Sequence, residues 1–153
     1  MKDIFGPDGY LALELPGYEY RESQLEMARF IAERLTDSEN GIIEAGTGTG
    51  KTMAYLIPAI SHALESGKKI AVSTETRALQ RQLTDKDIPV AQAIFRKYLN
   101  TDFKFSLCLG STNYPCRRRF ERFMKRGEFE KGDLEHLKRV SDLFRERKIF
   151  TSL

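Results

Sequence analysis

The sequence predicts an α/β chain: a parallel sheet flanked by helices, followed by a smaller helical segment. Three observations lead there. Short apolar segments at 41–45, 69–73 and 103–109 have the length and composition of strands. Helix-patterned segments separate them, and strands joined through helices pair in parallel with right-handed crossovers. After Gly110 the alternation stops and two basic, helix-patterned segments follow.

Residues 1–19 are rich in turn formers, Gly6-Pro7-Asp8-Gly9 and then Pro16-Gly17, and predict an irregular lead-in. In the next segment Ser23 can cap a helix with Glu26 three residues on, and Leu25, Ala28, Ile31 and Leu35 share one face. Asn40-Gly41 precedes the first expected strand, 41–45. A Gly/Thr loop then leads into a helix over about 50–65, where Pro58 predicts a kink or an early stop. The second strand is expected at 69–73 and a short helix at 77–83. Asp87-Ile88-Pro89 is expected to break the chain before a helix over 90–99. Phe103, Phe105, Leu107 and Leu109 alternate with Lys104, Ser106 and Cys108, which is strand spacing. Residues 115–126 and 133–148 look helical, the latter with Leu134, Leu137, Val140 and Phe144 on one face.

Composition narrows the class. With 41% hydrophobic residues, 10 Phe and 6 Tyr, the chain can build a buried core and is not a disordered segment. No run approaches the ~18 apolar residues of a membrane span, and Met1-Lys2-Asp3-Ile4-Phe5-Gly6 carries no secretory apolar region. Two cysteines are too few for a disulfide framework, so a reducing cytoplasm is the expected compartment. The net charge of +3 is unevenly spread: 12 of the 25 Lys/Arg but only 7 of the 22 Asp/Glu lie between residues 117 and 148. That basic quarter suits a polyanionic partner, and a solvated helical face would look the same.

The loop from 44 to 52 carries the most specific chemistry. Glu44-Ala45-Gly46-Thr47-Gly48-Thr49-Gly50-Lys51-Thr52 follows an expected strand and opens a helix, the context of a nucleotide phosphate-binding loop. Gly46, Gly48 and Gly50 allow the backbone to wrap an anion with its N–H groups inward, and the helix N-terminus adds partial positive charge. Lys51 can reach the β- and γ-phosphates of ATP, and the Thr52 hydroxyl can bind Mg²⁺. Triphosphate binding follows, but not the reaction, because kinases, transporters, GTPases and helicases share this P-loop.

The flanks carry a resemblance. Ala45 replaces the usual first glycine of the loop, a variant common in helicases. Tyr18-Glu19-Tyr20-Arg21-Glu22-Ser23-Gln24 resembles the Arg-x-x-Gln Q-motif of superfamily-two helicases, which implies that Gln24, with Arg21 close by, reads adenine. Ser73-Thr74-Glu75-Thr76-Arg77-Ala78-Leu79-Gln80-Arg81-Gln82-Leu83, with Lys86-Asp87-Ile88-Pro89, is similar to helicase motif Ia of the DinG/XPD branch. By that resemblance Thr74, Thr76 and Gln80 contact the backbone of single-stranded DNA, contacts that position a strand without reading its sequence. Gly110-Ser111-Thr112-Asn113-Tyr114-Pro115-Cys116 is similar to the family's Gly-Arg-Ser-Asn-Tyr-x-Cys, with Ser111 in place of the arginine. There Cys116 matches the first of four ligands to an iron–sulfur (4Fe–4S) cluster, while Cys108 alternates with strand residues and reads as a small buried side chain. The alternative for Cys116 is an uninvolved thiol.

The resemblance runs from Phe5 to Cys116 and identifies the chain as resembling the N-terminal part of a bacterial DinG/YoaA-type, XPD-like DNA helicase. It implies a RecA-like P-loop NTPase sheet, left incomplete, and three regions: the lead-in at 1–19, the first part of motor domain 1 at 20–110, and the start of the iron–sulfur helical subdomain at 111–153. The family couples ATP hydrolysis to five-prime to three-prime movement on single-stranded DNA in repair and replication. No acid pair of the Walker B type follows an apolar strand here; Glu75 and Asp87 stand in the wrong context. The 153 residues are therefore expected to bind ATP weakly without hydrolysing it. An incomplete sheet is also expected to leave an open edge through which the chain forms a non-native dimer. Two other readings remain open: a small P-loop kinase, with Arg117-Arg118-Arg119 as a lid, and a non-catalytic module that docks nucleic acid or protein.

Overall fold

The computed structural model describes residues 1–127 and 129–146. Its fold corrects the expected class: among the described residues there are helices and turns and no strand. The segments at 41–45, 69–73 and 103–109 belong to no helix or strand, and none joins a hydrogen-bonded ladder. Their apolar side chains lie largely in solvent: Ile42 is 98% exposed, Leu107 48%, Val72 45% and Phe105 44%. The reason is physical. A helix closes its hydrogen bonds within its own segment, whereas a parallel strand draws every one from a neighbour. The expected parallel sheet, and the sheet edge expected to drive dimerisation, are both absent from the described residues.

One compact unit covers Met1–Phe105. Helices α1 (Lys2–Phe5) and α2 (Tyr10–Glu14) form where turn formers predicted irregular backbone. Helix α3 (Glu22–Asp37) starts before Ser23, which makes no side-chain cap; Arg21 occupies the cap position and Glu22 lies in the first turn. Helix α4 (Lys51–Ser66) continues through Pro58 and does not stop there. Pro58 is fully buried, and its apolar contact offsets the lost backbone donor. Helix α5 (Arg77–Gln82) passes through a π-helical turn, Leu83–Asp87, directly into α6 (Ile88–Tyr98). The expected break at Asp87-Ile88-Pro89 does not occur, because Pro89 stands in the first turn of α6, where no intrahelical donor is needed.

The core sits among α3, α4 and α6. Leu25 and Ala28 of α3 meet Met53, Ala54 and Ile57 of α4, with Ala91, Ile94 and Phe95 of α6 completing the cluster. Ala28, Ala54 and Ala91 are wholly buried, so each helix presents a small residue where the backbones come close. Phe5 and Leu11 bring α1 and α2 onto the same core. At its margin Tyr10 and Tyr98 stack at 4.4 Å, and Glu14 accepts from Lys97 Nζ and the Tyr98 hydroxyl, each at 2.8 Å.

A second compact unit begins at Ser106. It holds a 3₁₀ turn (Ser111–Asn113), α7 (Arg117–Arg126), a second 3₁₀ turn (Lys131–Asp133) and α8 (Leu134–Arg145). Phe120 packs on Phe144 at 5.2 Å and Phe123 on Phe129 at 5.8 Å. The end of the helix expected at 133–148 lies outside the described residues beyond position 146.

Burial separates two isoleucines cleanly. Ile94→Ala, in the core, should cost about 3 kcal/mol in urea unfolding, whereas Ile42→Ala should stay within about 0.5 kcal/mol. A cost for Ile42→Ala comparable to that of Ile94→Ala would mean the 41–45 segment is buried after all.

Candidate nucleotide-binding site

The loop at 45–52 is built around the N-terminus of α4. Gly50 caps the helix at φ +74°, and Gly48 also has positive φ, +79°. Side chains rarely adopt that conformation, so glycine lets the chain reverse into the helix here. Gly50 meets a second constraint. A Cβ there would collide with Gln24 Nε2, and open space lies over Gly46 and Gly48. The backbone N–H groups of residues 46–51 make no intramolecular hydrogen bond among the described residues. A row of free donors at a helix N-terminus, with room above it, is the chemistry of an anion cradle. The glycines thus fit a triphosphate group.

Lys51 is the first residue of α4. Its Nζ donates to the carbonyls of Ala45 at 2.8 Å and Gly46 at 2.6 Å, which folds the side chain back over the start of the loop. Phosphate oxygens make stronger, charge-assisted bonds than these neutral carbonyls, so a triphosphate can compete for the ammonium. Thr49 Oγ1 donates to Gly46 O at 3.0 Å and braces the loop across its width. Thr47 is exposed at the loop's crest, and Thr52 is half-buried in the first turn of α4.

Gln24, a buried polar side chain, joins α3 to this loop. Its Nε2 donates to Gly50 O at 2.9 Å, and its Oε1 lies 3.1 Å from the Tyr18 hydroxyl, whose one proton points to the nearer Phe5 O at 2.7 Å. Burial pushes the Tyr18 phenol above its ordinary range. Beside Gln24 opens a cavity of about 450 Å³ between α3 and residues 43–49, walled by Met27, Phe30 and Ile43 with Ala45, Gly46 and Thr49 at the loop side. That volume falls within the range of small-molecule sites. Arg21 turns away, donating to Glu19 at 2.7 Å in solvent.

The π-turn supplies the other buried polar group. Asp87 is 7% exposed and accepts from Gln82 Nε2 at 3.1 Å. Burial raises its pKa above the usual 3.8, against the Gln82 hydrogen bond and the Lys86 charge. The turn packs against α4, where burial raises the Tyr55 phenol, the Thr52 hydroxyl opposes the rise and the Asp87 charge adds to it.

Sequence reasoning grouped Gln24 with the loop, and the structure brings them together. Tyr18 stood in the motif without a role, and Met27, Phe30 and Ile43 of the cavity wall went unnoticed, because only their tertiary position marks them. Of the residues assigned to DNA, Thr76 caps α5 by accepting from Leu79 N at 3.2 Å, the Thr74 hydroxyl is buried without a partner, and Gln80 is half-buried. In the second unit Cys116 precedes α7, and backbone N–H groups of Arg119 and Arg118, with their charges, lower its thiol pKa. Cys108 is exposed, contrary to the buried position its alternation predicts, because 103–109 is not a paired strand. A 4Fe–4S cluster takes four thiolates. The sequence holds two cysteines, and no group of three metal-ligating side chains comes together among the described residues, so the residues present do not fit one.

A glycine-lined loop on a helix N-terminus, with a lysine at its first turn and an amide linked to it, has the make-up of a phosphate loop. Residues 24–126 match the DEAD/DEAH box helicase family, and the chain belongs to it. It corresponds to the N-terminal part of DinG/YoaA-type helicases. It is 41% identical over 121 residues to the ATP-dependent DNA helicase YoaA of Escherichia coli, covering 79% of this chain and 18% of that protein. It is 42% identical over 106 residues to the ATP-dependent helicase DinG of Mycobacterium tuberculosis, covering 69% and 16%. With the 3'-5' exonuclease DinG of Bacillus subtilis it shares 35% over 119 residues, covering 78% and 12%. The chain thus spans less than a fifth of the length of these three relatives.

Two substitutions probe the loop's support. Gly50→Ala should cost about 2 kcal/mol more than Gly67→Ala. Gly67 has a similar φ of +68° but open space around it, so equal costs would show that the Gln24 contact imposes no constraint. For Asp87, a raised pKa means folding favours the protonated acid. Its contribution to stability is full below the ordinary value of 3.8 and falls as pH rises through the folded-state value. Asp87→Asn should therefore be more favourable relative to the parent at pH 7 than at pH 3 in urea titrations, and a pH-independent difference would contradict this.

Proposed function

We propose that this chain is the ATP-binding front of an ATP-dependent DNA helicase motor. The observation that carries the reading is the loop at 46–52, with its free N–H groups, positive-φ glycines and Lys51 at the start of α4. The family match and the helicase names of two of the relatives support it.

In this reading the N–H groups of 46–51 hold the phosphates, Lys51 exchanges its carbonyls for β- and γ-phosphate oxygens, and Thr52 holds Mg²⁺. The metal supplies charge neutralisation at the phosphates when bound. The base enters the cavity beside α3, where Gln24 reads the adenine edge and Met27, Phe30 and Ile43 cover its faces. Thr74, Thr76 and Gln80 belong to the segment that holds single-stranded DNA by its backbone, and five-prime to three-prime translocation belongs to the complete motor. Bacterial relatives support a cytoplasmic setting. No step involves an iron–sulfur cluster, for which these residues supply too few thiolates.

The 153 residues by themselves bind nucleotide without turning it over, because no acid pair in this sequence stands where it can orient water on the γ-phosphate. Titration with a fluorescent ATP analogue should show binding that Lys51→Ala weakens at least about tenfold, a loss of about 1.4 kcal/mol. Absence of binding by the parent chain would refute the nucleotide reading. Hydrolysis stimulated by single-stranded DNA and abolished by Lys51→Ala would refute the binding-only role.

A further inference from the structure

The reciprocal cap that Ser23 and Glu26 could make at the start of α3 does not form. Ser23 makes no side-chain cap, and no hydrogen bond or ion pair engages either side chain among the described residues. Both line the cavity of about 450 Å³ between α3 and residues 43–49 instead. Helical spacing explains the placement, because Glu26, Met27 and Phe30 follow Ser23 by three, four and seven residues and share its face. Glu44 lines the cavity from the loop side and is likewise unpaired among the described residues.

A carboxylate only accepts hydrogen bonds. Phosphate oxygens are acceptors too, so the part of a nucleotide that meets these carboxylates favourably must bring donors. Gly46 and Thr49 belong both to the phosphate loop and to the cavity wall. A nucleotide with its phosphates on the loop therefore continues into the cavity through its sugar. Met27, Phe30 and Ile43 offer apolar surface to the flat base. Ser23 and Glu26 are exposed, which places them at the mouth of the cavity, where a sugar keeps its hydroxyls near water. The 2'- and 3'-hydroxyls of ribose are adjacent donors, and one carboxylate has two oxygens to receive them in charge-assisted bonds. Dinucleotide sites use a carboxylate on the ribose in the same way.

We propose that Glu26, with Ser23 beside it, receives the ribose 2'- and 3'-hydroxyls of the bound nucleotide, so that the site prefers ribonucleoside to 2'-deoxyribonucleoside triphosphates. The inference rests on the nucleotide-binding reading above and concerns the sugar alone.

The test is calorimetric titration of the 153-residue chain with ATP, 2'-deoxy-ATP and inorganic tripolyphosphate in Mg²⁺, with Glu26→Ala beside the parent. The parent should bind ATP about fivefold to tenfold more tightly than 2'-deoxy-ATP. In Glu26→Ala, a surface change that leaves the core intact, the two nucleotides should bind within about twofold of each other. 2'-Deoxy-ATP and tripolyphosphate should bind the variant no more weakly than the parent. Equal affinity of the parent for ATP and 2'-deoxy-ATP overturns the inference and leaves the nucleotide site standing, and so does a folded variant that keeps the parent's preference. A variant that weakens both nucleotides equally overturns the sugar contact and assigns Glu26 to the base. If the parent binds neither ATP nor tripolyphosphate, the site and the inference fall together. A second check needs no variant: 3'-deoxy-ATP should also bind the parent more weakly than ATP, and equal binding overturns the pairing of both hydroxyls with one carboxylate.

Discussion

The hydrogen bond from Gln24 Nε2 to Gly50 O, 2.9 Å long, connects the two helices on which the site depends. Gly50 is the residue at which the chain turns from the phosphate loop into α4, with φ +74°. Gln24 lies in the second half of the first turn of α3 and is buried against that point. A donor placed there fixes the carbonyl that opens α4, and so sets the direction of the helix N-terminus over which the free N–H groups stand. The same contact leaves no room for a side chain at position 50. One amide therefore supports the conformation of the loop and occupies the wall of the cavity beside it.

Packing around that contact is tight because small residues meet at the helix crossings. Ala28, Ala54 and Ala91 are wholly buried, and Ile57 and Ile94 fill the space between them. Among the described residues two polar side chains are buried: Gln24 at the loop, and Asp87 in the π-turn against α4. A π-turn inside an otherwise continuous helical run is an uncommon conformation, often found at functional positions. Here it carries a carboxylate whose burial opposes ionisation and whose field reaches Tyr55, one turn from Thr52. The π-turn and the helix that begins at Lys51 are thereby in electrostatic as well as steric contact.

The unit that begins at Ser106 has different physics. Aromatic pairs, Phe120 with Phe144 and Phe123 with Phe129, pack within it, and α7 buries no residue fully. The arginines of α7 lie on the surface, and Arg117 is paired with Glu121 one turn on. Cys116 gains acidity from the first turn of that helix because the backbone N–H groups of Arg119 and Arg118 and the two guanidinium charges favour its thiolate. That single thiol is a local electrostatic feature; it does not assemble a ligand set.

The sequence by itself determined the glycine-rich loop, the helix that follows it, the apolar face of α3 and the family resemblance carried by Gln24 and the motif around Gln80. Each of these is local: helical hydrogen bonds close within four residues, and the glycine spacing at 46, 48 and 50 allows the loop's conformation, which the Gln24 contact then supports. Local signals misled where neighbours decide. Strand-like patterning at 41–45, 69–73 and 103–109 did not become a sheet, because pairing needs a second segment alongside and no pattern within one segment supplies it. Ser23 lost its capping role to a helix that began one residue earlier, and Pro58 and Pro89 were accommodated by burial and by position in a first turn. Tertiary structure alone decided that Tyr18, six residues before Gln24, would reach its amide, and that Asp87 would be buried beside α4. The second depends on the packing of helices distant in sequence, and the first on how the chain before α3 turns onto the core.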